Sequence, residues 1–599
     1  MKNTNNLVNI SLNSQPITSL KLLHIKKQQV ILSFLLFLFA NGYSQFINPL
    51  FIPPALSDSV FNLNVQNGTT QFWNGINTPT YGINGNILGP TLIMNKWDNI
   101  TINVTNSLTG SGNSTTMHWH GLHVPAKCDG GPHQIIMQGT TWSPQFKMLN
   151  DAGTFWYHPH GNNQTDRQVS KGLAGMIIVR DSAEAALTLP RTYGVDDFPI
   201  VVQSKSFDVL NQIAISTDED TLVVVNGTAY PYLSTPAQVI RMRLLNGSSM
   251  RSYNFGFSGN LPFKLIGIDG GLIDTAQTLT RILLNPGERV EILLDLQNQQ
   301  GNTIYLNSFS NELPNGIYGA ATVTSMMGGT ITDYNLNPLN GAIIGILKLI
   351  VGAPTANPIL TTPVTLVPQT PFTNYTTSRT FLLQPDTMMN AQAQVEGPFN
   401  INGIHFDMNV INQTAYLNTT EKWKIQNNTG IAHPFHIHDV QFNILNVNGG
   451  AVPNYEKGKK DVVLVMPMQY VEFVTTFNDF ADDSIPYMYH CHLLHHEDDG
   501  MMGSFRVIDT NTVAGLNSVK NISEVFIFPN PTNSYITVQT TIKEELNLSV
   551  FNSFNEVIYS TTTNTPSTTI DLSKFSNGIY FLRLKLPNGF VYKKIIKAG

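Results

Sequence analysis

Histidine is distributed very unevenly along this chain of 599 residues, and the distribution constrains the fold more than any other feature. Of the 15 histidines, none lies between Gly161 and Ile404, and ten fall in four short clusters. Each cluster contains one His-x-His pair. The pairs are His118/His120, His158/His160, His436/His438 and His490/His492. Alternate residues of a strand point to the same face, so each pair places two imidazoles side by side. The pattern predicts strands that meet at a metal centre able to hold several ions.

A second set of ligand-type residues lies on the opposite face of the last two clusters. Cys491 is between His490 and His492, and His433 is three residues before His436. Two histidines, a thiolate and a weak axial methionine form a blue-copper electron-transfer site, which His433, Cys491, His496 and Met501 supply. Structural zinc, the alternative, needs only four ligands in a closed tetrahedral set. The residue types therefore indicate copper.

Several stretches outside these clusters also match one known family, the three-domain multicopper oxidases, which include laccases and the periplasmic copper-efflux oxidases of bacteria. The chain resembles these proteins from about Phe61 to Val507. The matching stretches are MHWHGLHVPAKCDGGPHQ (117–134), RQVSKGLAGMIIVRD (167–181), NPGERVEILLDL (285–296), INGIHFDMN (401–409) and the last two histidine clusters. The resemblance implies four copper ions, which couple one-electron oxidation of a small reductant to reduction of O2 to water.

The resemblance also implies a role for each ligand residue. The type-1 copper is assigned to His433, Cys491, His496 and Met501, and the type-2 copper to His118 and His436. The type-3 pair is assigned to His120, His158, His160, His438, His490 and His492. Asp129 and Glu497 are candidate proton relays, because a carboxylate beside the cluster can pass protons to O2. The alternative is that both only hold ligand histidines by hydrogen bonds.

Composition narrows the fold class and the partners. Charged residues make up 12% of the chain, about half the usual share, and Asn, Thr, Ser and Gly replace them. The net charge of −6 argues against a nucleic-acid partner. Of the two cysteines, Cys491 is assigned to copper, so Cys128 is expected to be a free thiol even in an exported protein. We expect a monomer.

Three similar segments divide the main part of the chain into domains. Each begins with an Asn-Gly step, at Asn84, Asn226 and Asn402, followed by short alternating strands. The long spacing between these three Asn-Gly steps indicates repeated domains, and the strand pattern favours β-sandwiches. The predicted fold is therefore all-β, with three cupredoxin-like β-sandwich domains. Because ligands come only from the first and third units, we expect the multinuclear cluster at their interface, with the middle unit as a spacer.

The two ends of the chain carry export signals. Lys21 to Lys27 precede an apolar run from Val30 to Ala40, which is typical of a signal peptide, here cleaved after Ser44. No stretch supplies the roughly 20 apolar residues of a membrane span. The stretches VFIFPNPTNSYITVQ (525–539) and FSNGIYFLRLKLPNGFVYKKIIK (575–597) resemble the C-terminal sorting domain of type IX secretion, which implies the type IX machinery as a partner and a secreted or cell-surface location. The alternative is an accessory carbohydrate-binding module.

These patterns set the expected domain boundaries. We predict a signal peptide at 1–44, cupredoxin domains at 45–190, 191–351 and 375–510, linkers at 352–374 and 511–521, and a small β-sandwich sorting domain at 522–599.

The substrate is predicted from departures from the copper-efflux pattern. Those enzymes carry a long Met/His-rich insert, whereas the corresponding segment here, 384–400, holds only Met388 and Met389. They also place Asp and Met before the type-1 histidine, where this chain has Asn428 to Ala432. Cu(I) needs soft ligands. We therefore expect an open, laccase-like site for phenols and aromatic amines. A cuprous or other metal-ion oxidase is the alternative, and a non-catalytic copper-binding protein is the alternative of another class.

The remaining residues near the clusters are expected to be structural or solvated. His123, His133 and His495 match no ligand position, and Asp498 and Asp499 are expected in a solvated loop. His405 is the one further histidine that could border the type-1 edge.

Overall fold

The structure is a computed structural model. It describes residues 46–599 except 111–112, 216–218, 325–333, 335–336, 373, 387–394, 510–524, 541–545, 553–556 and 587–588. The predicted signal peptide and the linker at 511–521 therefore lie outside the described residues. Strands dominate, as the turn-rich alternating sequence predicts, and the all-β fold is confirmed. No helix in the described part of the chain is both long and apolar enough to cross a membrane.

The first unit is a sandwich of two sheets, ordered β2-β5-β11-β10-β7 and β4-β3-β6-β8, with β9 beside β6. In β3, alternate residues Phe61, Leu63 and Val65 are buried between the sheets, because successive side chains of a strand face opposite sides. The elements up to this point are β1 Asn48–Pro49, β2 Ala55–Ser57, β3 Val60–Trp73, β4 Ile76–Ile83, β5 Thr91–Asn95, β6 Asn99–Asn106, β7 His118–His120, a 3-10 turn Ala126–Cys128, β8 Thr141–Trp142, β9 Gln145–Lys147, β10 Gly153–His158, helix α1 Thr165–Ser170, β11 Gly175–Arg180 and helix α2 Ser182–Ala185.

The middle unit is a second sandwich, ordered β1-β16-β24-β23-β18-β21 and β15-β14-β12-β17-β22-β19-β20, with β13 beside β12. The short strand β1 thus pairs with the middle unit. Its other elements are β12 Asp197–Phe207, β13 Ile213–Ala214, β14 Leu222–Val225, β15 Thr228–Ala229, β16 Pro231–Pro236, β17 Val239–Asn246, β18 Tyr253–Phe257, a 3-10 turn Ser258–Asn260, β19 Phe263–Ile268, β20 Gly271–Leu279, β21 Ile282–Leu284, β22 Arg289–Asp295, β23 Thr303–Phe309, a 3-10 turn Ser310–Glu312 and β24 Ile343–Gly352.

The third unit repeats the arrangement, with sheets β26-β25-β28-β32-β30 and β27-β34-β33-β29-β31. Its elements are β25 Thr377–Pro385, β26 Phe399–Ile401, β27 Gln413–Tyr416, β28 Thr419–Asn427, β29 His433–Ile437, β30 Phe442–Val447, a 3-10 turn Asn454–Glu456, β31 Val462–Val465, β32 Tyr470–Phe477, β33 Asp482–Cys491, helix α3 Leu494–Asp498 and β34 Met502–Ile508. The three Asn-Gly steps are turns, since Asn84, Asn226 and Asn402 all have positive φ, which asparagine tolerates better than most residues.

The C-terminal segment forms a small sandwich of two sheets, β35-β36-β39 and β38-β37-β40-β41. It has its own apolar core, which includes Val525, Ile536, Leu582 and Ile595. Its strands are β35 Val525–Phe528, β36 Tyr535–Thr540, β37 Leu546–Phe551, β38 Val557–Thr563, β39 Ser567–Asp571, β40 Gly578–Leu586 and β41 Gly589–Lys597.

A hydrogen bond from the first unit reaches a cluster of buried ion pairs in the middle unit. Arg243 on β17 donates to Asp197 at 2.8 Å and to Glu291 at 2.7 Å, and all three residues are buried. Thr154 on β10 of the first unit donates to the same Glu291 at 2.7 Å. Buried charges persist when paired and hydrogen-bonded in this way. Strand β10, which ends at His158, is thus held against the middle sheet.

Candidate metal centre

Two pairs of hydrogen-bonded strands bring the ligand-type residues together. In the first unit, β7 pairs with β10 so that His118 lies opposite His158. In the third unit, β29 pairs with β33 so that His436 lies opposite His490, and Phe435 lies opposite Cys491. Within each unit the His-x-His pairs therefore share one face, as the period of a strand requires.

The eight paired histidines are all buried and form one cluster where the first and third units meet. Two triads are distinct. The first contains His120, His158 and His492, and the second contains His160, His438 and His490. In the second triad, Nε2 of His160 is 3.1 Å from Nε2 of His490 and 3.2 Å from Nε2 of His438. Ligands about 2.0 Å from a tetrahedral metal ion are about 3.3 Å apart, so these spacings fit a shared ion.

His118 and His436 form the remaining pair of the cluster. Their Nε2 atoms are buried and have no hydrogen-bond partner, and the same is true of Nε2 of His158. A buried nitrogen without a partner costs free energy, and metal ions remove this cost by coordination. The donor set of this chain therefore fits several metal ions.

Hydrogen bonds at the other ring nitrogen orient these imidazoles. A metal-binding histidine usually donates its second N–H to an oxygen, which fixes its tautomer. The Nδ1–H group of His118 donates to the backbone oxygen of Asp129 (2.9 Å), and that of His158 donates to the backbone oxygen of Pro159 (2.8 Å). The Nδ1–H groups of His436 and His490 donate to the backbone oxygens of Asp461 (2.7 Å) and Cys491 (3.0 Å), respectively. In each case Nε2 is left for the metal.

The second candidate set lies on the other side of Cys491. Nδ1 of His433 is 3.4 Å and Nδ1 of His496 is 3.6 Å from the sulfur of Cys491, and all three side chains are fully buried. Met501 is also buried, and its backbone oxygen accepts from the N–H of Cys491 at 3.1 Å. The Cys491 thiol and the two imidazoles, with Met501 hydrogen-bonded to Cys491 through its backbone, supply the donor types of a blue-copper site.

Burial controls the protonation of these groups before a metal binds. It lowers the pKa of His496 to about 3 and that of His160 to about 4, although Glu497 opposes the shift in His160. It also raises the pKa of the Cys491 thiol well above its usual range. His160 and His496 are therefore neutral and ready to coordinate, whereas Cys491 must lose its proton when a metal binds.

The two candidate proton relays both touch the cluster. Oδ2 of Asp129 accepts from Nδ1 of His438 at 2.8 Å. Glu497 is 3.1 Å from Nδ1 of His490 and 3.4 Å from Nδ1 of His160, so it faces two members of one triad. Burial would raise the pKa of Glu497, but His160 and His490 outweigh it and hold the pKa well below its usual range.

The position of Asp498 differs from the one predicted from the sequence. It does not lie in a solvated loop, because its carboxylate is half-buried and accepts from the backbone N–H groups of Thr165 (3.0 Å) and Asp166 (2.9 Å) at the start of α1. An acidic group satisfies the free N–H groups at a helix N-terminus. Asp499, in contrast, is exposed.

The sequence also predicts that the imidazole edges of the type-1 set are open to solvent. For the described residues this prediction is wrong. Nε2 of His496 donates to the backbone oxygen of Val395 at 2.9 Å, and Nε2 of His433 lies 2.8 Å from the hydroxyl of Thr429. Both imidazole edges are buried, and Phe399 packs across both rings. Met388 and Met389 lie outside the described residues.

The other histidines lie outside these sets. His123 bridges Asp439 (2.7 Å) and Asp479 (3.3 Å), and His133 contacts the backbone oxygen of Met408. His405 is partly exposed and bonds to Asp386 at 2.8 Å, and His495 lies near Asp499. Cys128 is a buried free thiol whose sulfur contacts the backbone oxygen of Gln145.

Family comparisons agree with this geometry. Models of multicopper oxidase domains match residues 64–184, 200–325 and 376–511. A multicopper oxidase of Staphylococcus haemolyticus is 35% identical over 458 residues, which is 75% of this chain and 88% of that protein. The chain is a multicopper oxidase. The family implies copper as the bound metal.

Other relatives of the oxidase are described by different activities and roles. A solved structure of a laccase-like multicopper oxidase from Ochrobactrum sp., described as active towards lignin model compounds, superimposes with a TM-score of 0.67 at 31% identity, covering 77% of this chain and 100% of that one. The cell division protein FtsP of Escherichia coli is 30% identical over 467 residues, 77% of this chain and 92% of that protein. Residues 526–598 match a model of a secretion system C-terminal sorting domain.

One carboxylate beside the cluster was missed by the sequence reasoning. Asp461 is fully buried and lies 3.2 Å from Nε2 of His120, and Arg289 of the middle unit pairs with it. Arg289 lies in the stretch NPGERVEILLDL, which carried the family resemblance. That stretch was the one available signal that the middle unit does more than separate its neighbours.

Proposed function

We propose that the oxidase is laccase-like and holds four copper ions in the two sets described above. His433, Cys491, His496 and Met501 would hold the type-1 copper, and His118 and His436 the type-2 copper. The triad His120, His158 and His492 and the triad His160, His438 and His490 would hold one type-3 copper each. The observation that carries the proposal is the position of Cys491, whose two chain neighbours belong to different triads.

Copper supplies, when bound, one-electron oxidation of the reductant and four-electron reduction of O2 to two water molecules. The protein itself connects the two copper sets and keeps water away from them. Cys491 links the type-1 set to both triads through the backbone of His490 and His492. Burial of all these side chains excludes bulk water from the centre. Glu497 is the candidate to pass protons to the cluster, because its carboxylate lies beside Nδ1 of His160 and His490.

The proposed substrates are phenols and aromatic amines. Thioether ligands that would bind Cu(I) are scarce in 384–400 and absent from Asn428 to Ala432. Because the histidine edges are buried, we propose that electrons enter through the hydrogen bond from His496 to the backbone of Val395. The laccase-like relative from Ochrobactrum supports this substrate class.

Oxidation of Cu(I) or another metal ion is the second candidate. It is favoured by His405 and Asp386, which form a partly exposed pair, with His405 also bonded to the backbone oxygen of Asp499 just before Met501. Catalytic efficiency for a dimethoxyphenol and for Cu(I), each with and without excess Cu(II), decides between the two. Phenol turnover that is independent of added copper supports the laccase-like proposal. Strong copper dependence with efficient Cu(I) turnover overturns it.

The C-terminal sandwich and the FtsP relatives concern where the protein is located and whether it is an enzyme. We propose that the C-terminal sandwich directs export by type IX secretion, after a signal peptide cleaved behind Ser44. The relative FtsP is described as a cell division protein and not as an oxidase. The complete set of ligand histidines with Cys491 supports the enzyme over a non-catalytic copper-binding protein.

A further inference from the structure

Arg289 lies at the point where the three units of the oxidase meet. It is fully buried, and its guanidinium donates to both carboxylate oxygens of Asp461 in the third unit, at 2.6 and 2.7 Å. Its Nε donates to the backbone oxygen of Thr154 in the first unit at 3.1 Å, and Nη2 donates to that of Asp269 in the middle unit at 2.8 Å. One side chain thus joins all three units.

Asp461 carries this connection to the cluster. Its Oδ1 is 3.2 Å from Nε2 of His120, and its backbone oxygen accepts from Nδ1 of His436 at 2.7 Å. Both oxygens of Asp461 already accept from Arg289, so the contact at Oδ1 is one in which His120 donates, and His120 carries its proton on Nε2. Nδ1 of His120 is then the nitrogen that faces Nε2 of His492, at 3.3 Å.

The consequence is a difference between His120 and its neighbour in the same triad. His158 donates from Nδ1 to the backbone oxygen of Pro159, which leaves Nε2 for the metal. His120 has the opposite tautomer, because its proton is on Nε2 and is directed to Asp461. Space for the Arg289–Asp461 pair depends on Gly121, since a Cβ there would clash with Asp461 and lie 2.8 Å from Nη2 of Arg289.

We propose that Arg289 and Asp461 are positioning residues that hold His120 in the tautomer with its proton on Nε2, so that Nδ1 faces the metal. The middle unit would thereby control a centre to which it gives no ligand. Arg289 holds the buried carboxylate of Asp461 in place by two hydrogen bonds, and losing this partner would be costly because the group is buried. The inference rests on the proposed ligand assignment of His120.

Asp461→Asn is the sharpest test because it preserves shape. The amide has one acceptor oxygen in place of two, so it cannot accept from both guanidinium nitrogens of Arg289 and from His120 as the carboxylate does. The contact that fixes the proton of His120 on Nε2 is weakened, and the tautomer protonated on Nδ1, which cannot bind a metal through Nδ1, becomes populated. We expect a loss of type-3 copper affinity of about 10- to 100-fold, with the type-1 copper retained.

Three variants are compared with the wild type as full-length, copper-loaded protein: Asp461→Asn, Arg289→Lys and the control Arg251→Lys. Arg251 is also buried in the middle unit and pairs with Asp220, but none of its hydrogen bonds goes to a ligand histidine. The readouts are copper per chain after dialysis against a chelator, the near-ultraviolet band of the type-3 pair, the visible type-1 band and the Tm of the metal-free protein.

Selective loss of the type-3 band in Asp461→Asn, a smaller loss in Arg289→Lys and none in Arg251→Lys would support the proposal. An unchanged type-3 band and copper affinity in Asp461→Asn overturns it. Equal loss of both bands, with a fall in Tm like that of Arg251→Lys, also overturns it by showing a purely structural role. If Asp461→Asn does not fold, the same criteria apply to Arg289→Lys. A wild type without type-3 copper would instead refute the proposed function.

Discussion

Replacing Glu497 by glutamine separates proton delivery from ligand support. Glu497 is buried and faces Nδ1 of both His490 and His160. Glutamine keeps the size and one acceptor oxygen but cannot carry a proton between these groups and O2. If Glu497 relays protons, the rate of O2 reduction should fall by about 100- to 10,000-fold, the usual contribution of a positioned acid or base. That range corresponds to about 3–5 kcal/mol in activation free energy.

A purely supporting role for Glu497 predicts a different result. Loss of a hydrogen bond that orients a ligand typically weakens metal binding by about 10- to 100-fold, with little change in the rate per bound copper. We therefore propose stopped-flow measurement of two steps, anaerobic bleaching of the blue band by a phenol and its return with O2, together with copper content. We expect unchanged bleaching and slow return in Glu497→Gln.

The matched control for this experiment is Asp499→Asn. Asp499 is an exposed carboxylate two residues along the same segment, and its side chain lies 3.7 Å from His495, outside both ligand sets. It should leave both steps unchanged. Normal return of the blue band in Glu497→Gln, combined with low copper content, would refute the relay and leave Glu497 as a support for its histidines.

Three further predictions concern other parts of the molecule. Met501→Leu removes a weak axial ligand, so the type-1 reduction potential should rise while copper stays bound, as redox titration would show; loss of that copper, or an unchanged potential, argues against the axial role. Burial lowers the pKa of His123, but Asp439 and Asp479 outweigh it and raise the pKa to about 9. The charged His123 therefore stabilises the fold fully below pH 6.5 and loses this effect as pH rises through 9, so the Tm difference between wild type and His123→Gln should shrink over that interval; a constant difference would contradict it. Truncation from about Asn521 should preserve phenol oxidation, since the tail has its own core, but should leave the protein in the periplasm of its host; continued secretion would favour a binding module.

The sequence predicted which histidines lie side by side, because residues two apart in a strand face the same side. His118 and His120, or His490 and His492, share a face in any extended chain, and Cys491 between them must face away. The all-β fold followed from similar local signals, and the family comparisons confirm it.

Features that depend on packing between units were not predictable in this way. Asp461 and His120 are 341 positions apart and meet only because the first and third units pack together. Asp498 was predicted to be solvated because its partner, Thr165 at the start of α1, is 333 positions away in sequence. The buried edges of His433 and His496 arise within the third unit, where Thr429 is only four positions from His433 but Val395 is 101 positions from His496 and reaches it through the fold.

The visible absorption of copper-loaded wild type and Cys491→Ser tests the central claim most directly. The sulfur of Cys491 lies between His433 and His496, at 3.4 and 3.6 Å from their Nδ1 atoms. A thiolate there gives copper its intense blue band, and serine cannot replace it. We predict that the wild type is blue and that Cys491→Ser is colourless and inactive. A colourless wild type, or a Cys491→Ser protein that remains blue and active, would contradict the type-1 assignment.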